Sequence, residues 1–115
     1  MTEVRQGQVY WLDFGPAAGS APADRHPCVV VQNDIFNRSA IRTSVVCLIT
    51  SNLSRANAPG NVLLSSRVTG LPQDSVANVS QLVTLDRDAL RDCVGTMPRA
   101  KLLLIFAGID VIMGR

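Results

Sequence analysis

Residues 27–34 read PCVVVQND and residues 43–50 read TSVVCLIT. Each is an unbroken run of β-branched and aliphatic side chains, the pattern of a strand covered on both faces. The first predicts a central strand over Pro27 to Gln32, closed by the turn signal Asn33-Asp34. The second predicts a buried strand over Thr43 to Thr50, with a short helical turn between them at Asn37 to Arg42. Upstream, QVYWLDF (8–14) is rich in strand formers and stops at the breaker pair Gly15-Pro16. Downstream, Asn61 to Leu64, Ser75 to Val79, Gln81 to Thr84 and Cys93 to Gly95 read as shorter strands. Ala17 to Asp24 and Ser51 to Gly60 are polar, turn-rich loops. Asp86 is placed to cap a brief helix through Leu90.

The C-terminal stretch changes period. Pro98 is a helix start signal, and Leu102, Ile105, Phe106, Ile109, Ile112 and Met113 recur at helical spacing through Met113. Leu103, Leu104, Ala107 and Val111 form a second apolar stripe. A barrel surface covers one stripe, so the second asks for a partner. The expected fold class is mainly β with α (α+β): a small, mostly antiparallel SH3-like barrel with a long C-terminal helix. The expected domain organisation is one domain over residues 1–115.

Composition narrows the function. The chain has 115 residues, 47% hydrophobic and 17% charged, with a formal net charge of +2. That is enough for a core and argues against a disordered tail. Any surface for nucleic acid must be local, because the total charge is too small to do the work. The three cysteines, Cys28, Cys47 and Cys93, lack zinc-ligand spacing. Cys28 and Cys47 sit inside apolar runs and read as core residues. Residues 1–7 carry no apolar signal segment, and the run from Leu102 to Met113 is too short to span a bilayer. The expected setting is a reducing cytoplasm, with no membrane partner. Asp86, Asp88 and Asp92 read as a helix cap and an exposed acidic face rather than a metal cluster.

Four motifs in order resemble one family. GQVYWLDFGP (7–16) resembles the first strand of the MazF/PemK toxins. Gly19-Ser20 followed by HPCVVVQND (26–34) resembles their Gly-Ser loop and Arg-Pro strand. LITSN (48–52) resembles the strand that ends in the active-site threonine or serine, and LPQDSVANVSQLVTLD (71–86) resembles their Asp-Ser-Val, Gln and Thr-x-Asp pattern. The resemblance covers nearly the whole chain. It implies a CcdB/PemK-type fold and a sequence-specific endoribonuclease toxin that cuts single-stranded RNA: mRNA, with tRNA and rRNA as further candidates. It also implies a homodimer and a cognate MazE-like antitoxin. The family carries arginine immediately before the strand's proline. Here His26 stands in that place with Arg25 one residue earlier, so either fills the family role. The terminal helix also departs, since Leu103, Leu104, Phe106 and Val111 are apolar where the family helix is usually polar.

Cutting RNA without a metal or other cofactor uses the 2′-hydroxyl as internal nucleophile. The enzyme must move a proton, offset charge on the pentacoordinate phosphorus and orient the chain. Arg25, His26 and Thr50 are the catalytic candidates. A guanidinium binds phosphate at two points, and histidine is the residue type that titrates near neutrality. Phe14, Ser20, Ser51, Asn52, Asp74, Ser75 and Gln81 are the substrate-binding candidates, with Phe14 as the base-stacking side chain. Trp11 reads as core packing. Two other readings keep the fold: a CcdB-like toxin that binds a protein target without catalysis, and an inactive member that binds only its antitoxin.

Overall fold

The computed structural model describes residues 3–13 and 25–115. Six strands form one antiparallel sheet: β1 (Gln8–Asp13), β2 (Arg25–Val30), β3 (Thr43–Thr50), β4 (Val62–Leu64), β5 (Ser75–Asp86) and β6 (Asp92–Thr96). Their order across the sheet is β4-β5-β3-β2-β1-β6. The two most apolar segments, β2 and β3, lie at its middle, as their unbroken hydrophobic runs require. The sheet curls, and alternate residues serve two clusters. Val9, Val29, Cys47, Ile49, Ala77 and Val79 face one side, with Leu71, Met97, Leu102 and Ile105. Tyr10, Leu12, Cys28, Val30, Val46 and Leu48 face the other, with Val4 and Leu90.

Edge strands β4 and β6 do not pair, so the expected barrel is an open half-barrel. The short helix α2 (Ser66–Thr69) approaches β6. There the backbones nearly touch, because a Cβ on Gly95 would stand 2.9 Å from the Thr69 carbonyl oxygen. The helix α3 (Arg99–Met113) lies against β4 and β5. Its Gly108 packs on Gly60, whose φ of +84° suits glycine. A Cβ on Gly108 would overlap the Gly60 carbonyl oxygen.

Several expected boundaries shift for identifiable reasons. The first helix, α1, spans Asp34–Asn37 rather than Asn37 to Arg42, because the Asn33 side chain accepts from the Ile35 N–H at 2.8 Å and caps it. The two strands expected around Ser80 are one twelve-residue strand with a bulge. Cys47 pairs with Leu82 but Ile49 with Ala77, so β5 carries extra residues there. Asn61 fills the bulge, accepting from the Val79 N–H at 3.0 Å. Asp86 caps a 3-10 turn, Arg87–Ala89, through the Asp88 N–H at 2.9 Å. Asp92 is not part of that acidic turn but the first residue of β6. On α3, Leu102 and Ile105 are buried and Phe106 and Ile109 are partly covered. Ile112 and Met113, expected in the same stripe, are exposed in the last turn before Gly114. The second stripe is exposed as expected, with Leu103, Leu104 and Val111 at 50–57%.

Candidate active site

The start of β2, the end of β3 and the start of β5 meet at one end of the sheet. There they border a cleft of about 240 Å³ lined by Trp11, Arg25, His26, Thr50, Ser51 and Ser75, with Leu71-Pro72-Gln73 as one wall. Sites that enclose a whole small ligand are generally larger, roughly 300–1,000 Å³. An open cleft of this size suits a short segment of a polymer.

Alternation decides which side chains are neighbours. In the β1–β2 ladder Trp11 pairs with Pro27, Leu12 with His26 and Asp13 with Arg25. Arg25 therefore shares a face with Trp11, and His26 shares the opposite face with Leu12. Cys28 pairs with Leu48. That is the last pair of the ladder, and His26 and Thr50, each two residues beyond it, both border the cleft. Arg25 instead lies over the Trp11 ring, 5.0 Å from its centroid, and pairs with Asp92.

Thr50 Oγ1 accepts from the Asn52 N–H at 3.2 Å, so its own hydroxyl proton is available to donate. Asn52 does not line the cleft. Its carboxamide oxygen accepts from the Ser54 N–H and hydroxyl at 3.2 and 2.7 Å, capping a 3-10 turn over Leu53–Asn57. Ser51 is exposed at the mouth, while Ser75 is buried and donates to the Gln73 carbonyl at 3.0 Å. That bond holds the wall loop. Asp74 accepts from the Ser66 N–H at 2.9 Å and anchors the start of α2, outside the cleft. Gln81 is tied to Asn78 at 2.9 Å in the β5 bulge, also outside it. Phe14 and Ser20 lie outside the described residues. Two residues were not among the site candidates. Trp11 is half-buried and lines the cleft while touching the core, and Asp92 reaches Arg25 from β6. The QVYWLDF pattern contained a signal for Trp11, since a bulky residue near the end of a strand stands beside the loops.

Among the described residues, no three His, Cys, Asp or Glu side chains converge as metal ligands. No helix among them is long and apolar enough to cross a membrane. Cys28 and Cys47 are buried, and burial pushes both thiols up to about 12.

A curled antiparallel sheet with a C-terminal helix is a fold shared with solved structures. MazF from Deinococcus radiodurans superposes with a TM-score of 0.80, covering 100% of both chains at 21% identity. A mycobacterial endoribonuclease in complex with its cognate antitoxin gives 0.76, covering 99% of this chain and 96% of that one at 24% identity. These likenesses establish the fold. Sequence carries the relationship further. Endoribonuclease MazF6 of Mycobacterium tuberculosis is 42% identical over 110 residues, 96% of each chain. Endoribonuclease MazF of Staphylococcus epidermidis is 30% identical over 111 residues, 96% of this chain and 92% of that one. Residues 5–113 match the family described as PemK-like, MazF-like toxin of type II toxin-antitoxin system. The chain belongs to that family.

Proposed function

We propose that this toxin is a sequence-specific endoribonuclease acting on single-stranded RNA, in the cytoplasm, without a metal ion. Relatives at 42 and 30% identity are named endoribonucleases. The single observation that carries the reading is the cleft, where residues some 25 apart in sequence converge: Arg25 and His26, Thr50 and Ser51, and Ser75.

The reaction needs no water in its first step. The ribose 2′-oxygen attacks phosphorus as its proton is removed, the bond to the 5′-oxygen breaks, and that oxygen takes up a proton. The products are a 2′,3′-cyclic phosphate and a 5′-hydroxyl. His26, which borders the cleft with Thr50, moves the proton. The Thr50 hydroxyl donates to a non-bridging oxygen whose charge grows in the transition state. Arg25 supplies the cation that draws the phosphate in. Ser51 sits at the mouth to meet the backbone. A single strand is preferred because its bases can splay out to be read.

Two subunits and an antitoxin complete the proposal. Leu103, Leu104 and Val111 of α3 are exposed and suit a homodimer contact. A cognate antitoxin neutralises the toxin by covering the cleft. A mycobacterial endoribonuclease solved in complex with its cognate antitoxin supports an antitoxin partner.

The test is cleavage of a long RNA in EDTA, with end-group mapping. Cutting should persist and leave cyclic phosphate and 5′-hydroxyl ends. A magnesium requirement or 5′-phosphate ends would overturn the mechanism. The absence of any cutting would favour a protein-binding toxin or an inactive member. Thr50→Ala should lower kcat by roughly 10²-fold, the usual cost of one donor at a developing charge. Separate Arg25→Ala and His26→Gln variants assign the family arginine's role, and full activity in the double variant would remove this site altogether.

A further inference from the structure

Arg25 is the first residue of β2, and its side chain leans in one direction. It crosses over Trp11 on β1 and pairs with Asp92 on β6. The strands run β3-β2-β1-β6 across the sheet, so the guanidinium is carried away from β3 and Thr50. Trp11 and Asp92 are cross-strand partners, as are Trp11 and Pro27. The carboxylate therefore stands at the far end of the row over which the arginine lies. Asp13, opposite Arg25 in the ladder, is the second acid beside it. A carboxylate and a phosphate present the same thing to a guanidinium: oxygens able to face a planar fork of N–H donors.

We propose that Asp92 is an intramolecular competitor at the RNA site, which holds the phosphate place on Arg25 in the free protein until an RNA backbone phosphate displaces it. This rests on the RNA-cutting function proposed above. Arg25 and Asp92 are 54 and 55% exposed, so solvent screens the pair and it exchanges readily. The Trp11 face keeps the guanidinium close to the cleft while it changes partners. Asp92 competes with substrate for Arg25 and takes no part in making or breaking bonds. Its removal acts on KM and leaves kcat nearly untouched.

Trp11 is the chain's only tryptophan, so its fluorescence reports on the cation above it. The experiment compares wild type with Asp92→Asn, Asp92→Glu and, as a control for net charge, Asp88→Asn. Each is titrated with a single-stranded 2′-O-methyl oligoribonucleotide, which binds but lacks the nucleophile for cleavage, and each is assayed on cleavable RNA. Oligonucleotide binding should change Trp11 emission in wild type. Asp92→Asn should show part of that change before any oligonucleotide is added. It should bind roughly two- to fivefold tighter, the range open to an exposed ion pair, with KM lowered to match. Asp92→Glu should restore the pair and the wild-type KM, and Asp88→Asn should differ little from wild type.

Unchanged emission together with an unchanged KM in Asp92→Asn would overturn the proposal. So would a raised KM with a lowered kcat, which would mean that Asp92 holds Arg25 in its working position. Normal cutting with no emission change on binding would end the displacement idea and leave the ribonuclease standing. Emission changes with tighter binding in Asp92→Asn, but no cutting by any form, would uphold displacement and end the ribonuclease reading.

Discussion

Gly108 and Ala107 are neighbours in α3, and exchanging their residue types tests how the helix is docked. Intrinsic helix preference favours alanine over glycine by about 1 kcal/mol. On that ground alone Gly108→Ala should stabilise and Ala107→Gly should destabilise. Packing says otherwise. A Cβ on Gly108 would overlap the Gly60 carbonyl oxygen and stand 3.1 Å from Val79 Cγ1. The obstacle is backbone, the Gly60 carbonyl, rather than the far end of a flexible side chain, so relief requires the helix and the Gly60 turn to move apart. Retreat loosens Leu102 and Ile105, both buried against the sheet. Overpacking of this kind costs about 1–3 kcal/mol, and a backbone obstacle puts Gly108→Ala at the upper end. After subtracting the preference, the net loss is about 2 kcal/mol, or about 8 °C in Tm at this chain length. Ala107 is exposed, so Ala107→Gly should lose about 1 kcal/mol, or about 4 °C. Thermal unfolding followed by circular dichroism reads both. If Gly108→Ala melts at or above wild type while Ala107→Gly melts below it, propensity governs and the close approach to Gly60 is no constraint.

Three further outcomes are expected. In native protein a thiol reagent should modify Cys93 alone, with Cys28 and Cys47 reacting only in denaturant, because burial pushes both their thiols up to about 12; modification of more than one thiol per folded chain would contradict the buried placement. Burial raises the Asp34 carboxyl, but bonds from the Gln6 N–H and Asn37, with the charges of Arg38 and Arg5, more than offset this and leave it lowered. A lowered folded pKa means that Asp34 stabilises the fold above the ordinary carboxylate pKa of about 3.9 and loses that contribution as pH falls through the folded value; urea midpoints of Asp34→Asn should be lower than wild type at pH 7 and converge with it in acid, and an equal gap at both pH values would refute this. Wild-type protein should sediment as a dimer and a Leu103→Glu, Val111→Glu variant as a monomer, since each buried side chain contributes about 1.5–3 kcal/mol before the costs of association; a variant that stays dimeric would move the contact elsewhere.

The chain's own pattern was enough to define β3, whose ends at Thr43 and Thr50 coincide with its apolar run, and α3, which begins after Pro98 and ends at Met113. A strand covered on both faces, or a helix with a repeating stripe, writes its burial into adjacent letters, so local reading suffices. The meeting of Arg25, His26, Thr50 and Ser75 was legible through motifs that lie at strand ends, where loops and clefts occur. Other features were decided only through space. Ser80 looked like a break between strands until the bulge, filled by Asn61, made β5 continuous. Asn52, Asp74 and Gln81 spend their side chains on holding backbone and bulge, a choice set by which N–H groups the fold leaves unpaired. Asp92 read as part of an acidic surface with Asp86 and Asp88. It pairs instead with Arg25, 67 residues away, because β6 joins the sheet beside β1 and brings the carboxylate to the far edge of Trp11. Local sequence specifies each strand's two faces, but which side chain waits across the next strand depends on strand order and register, and those are settled only when the whole sheet curls around its core.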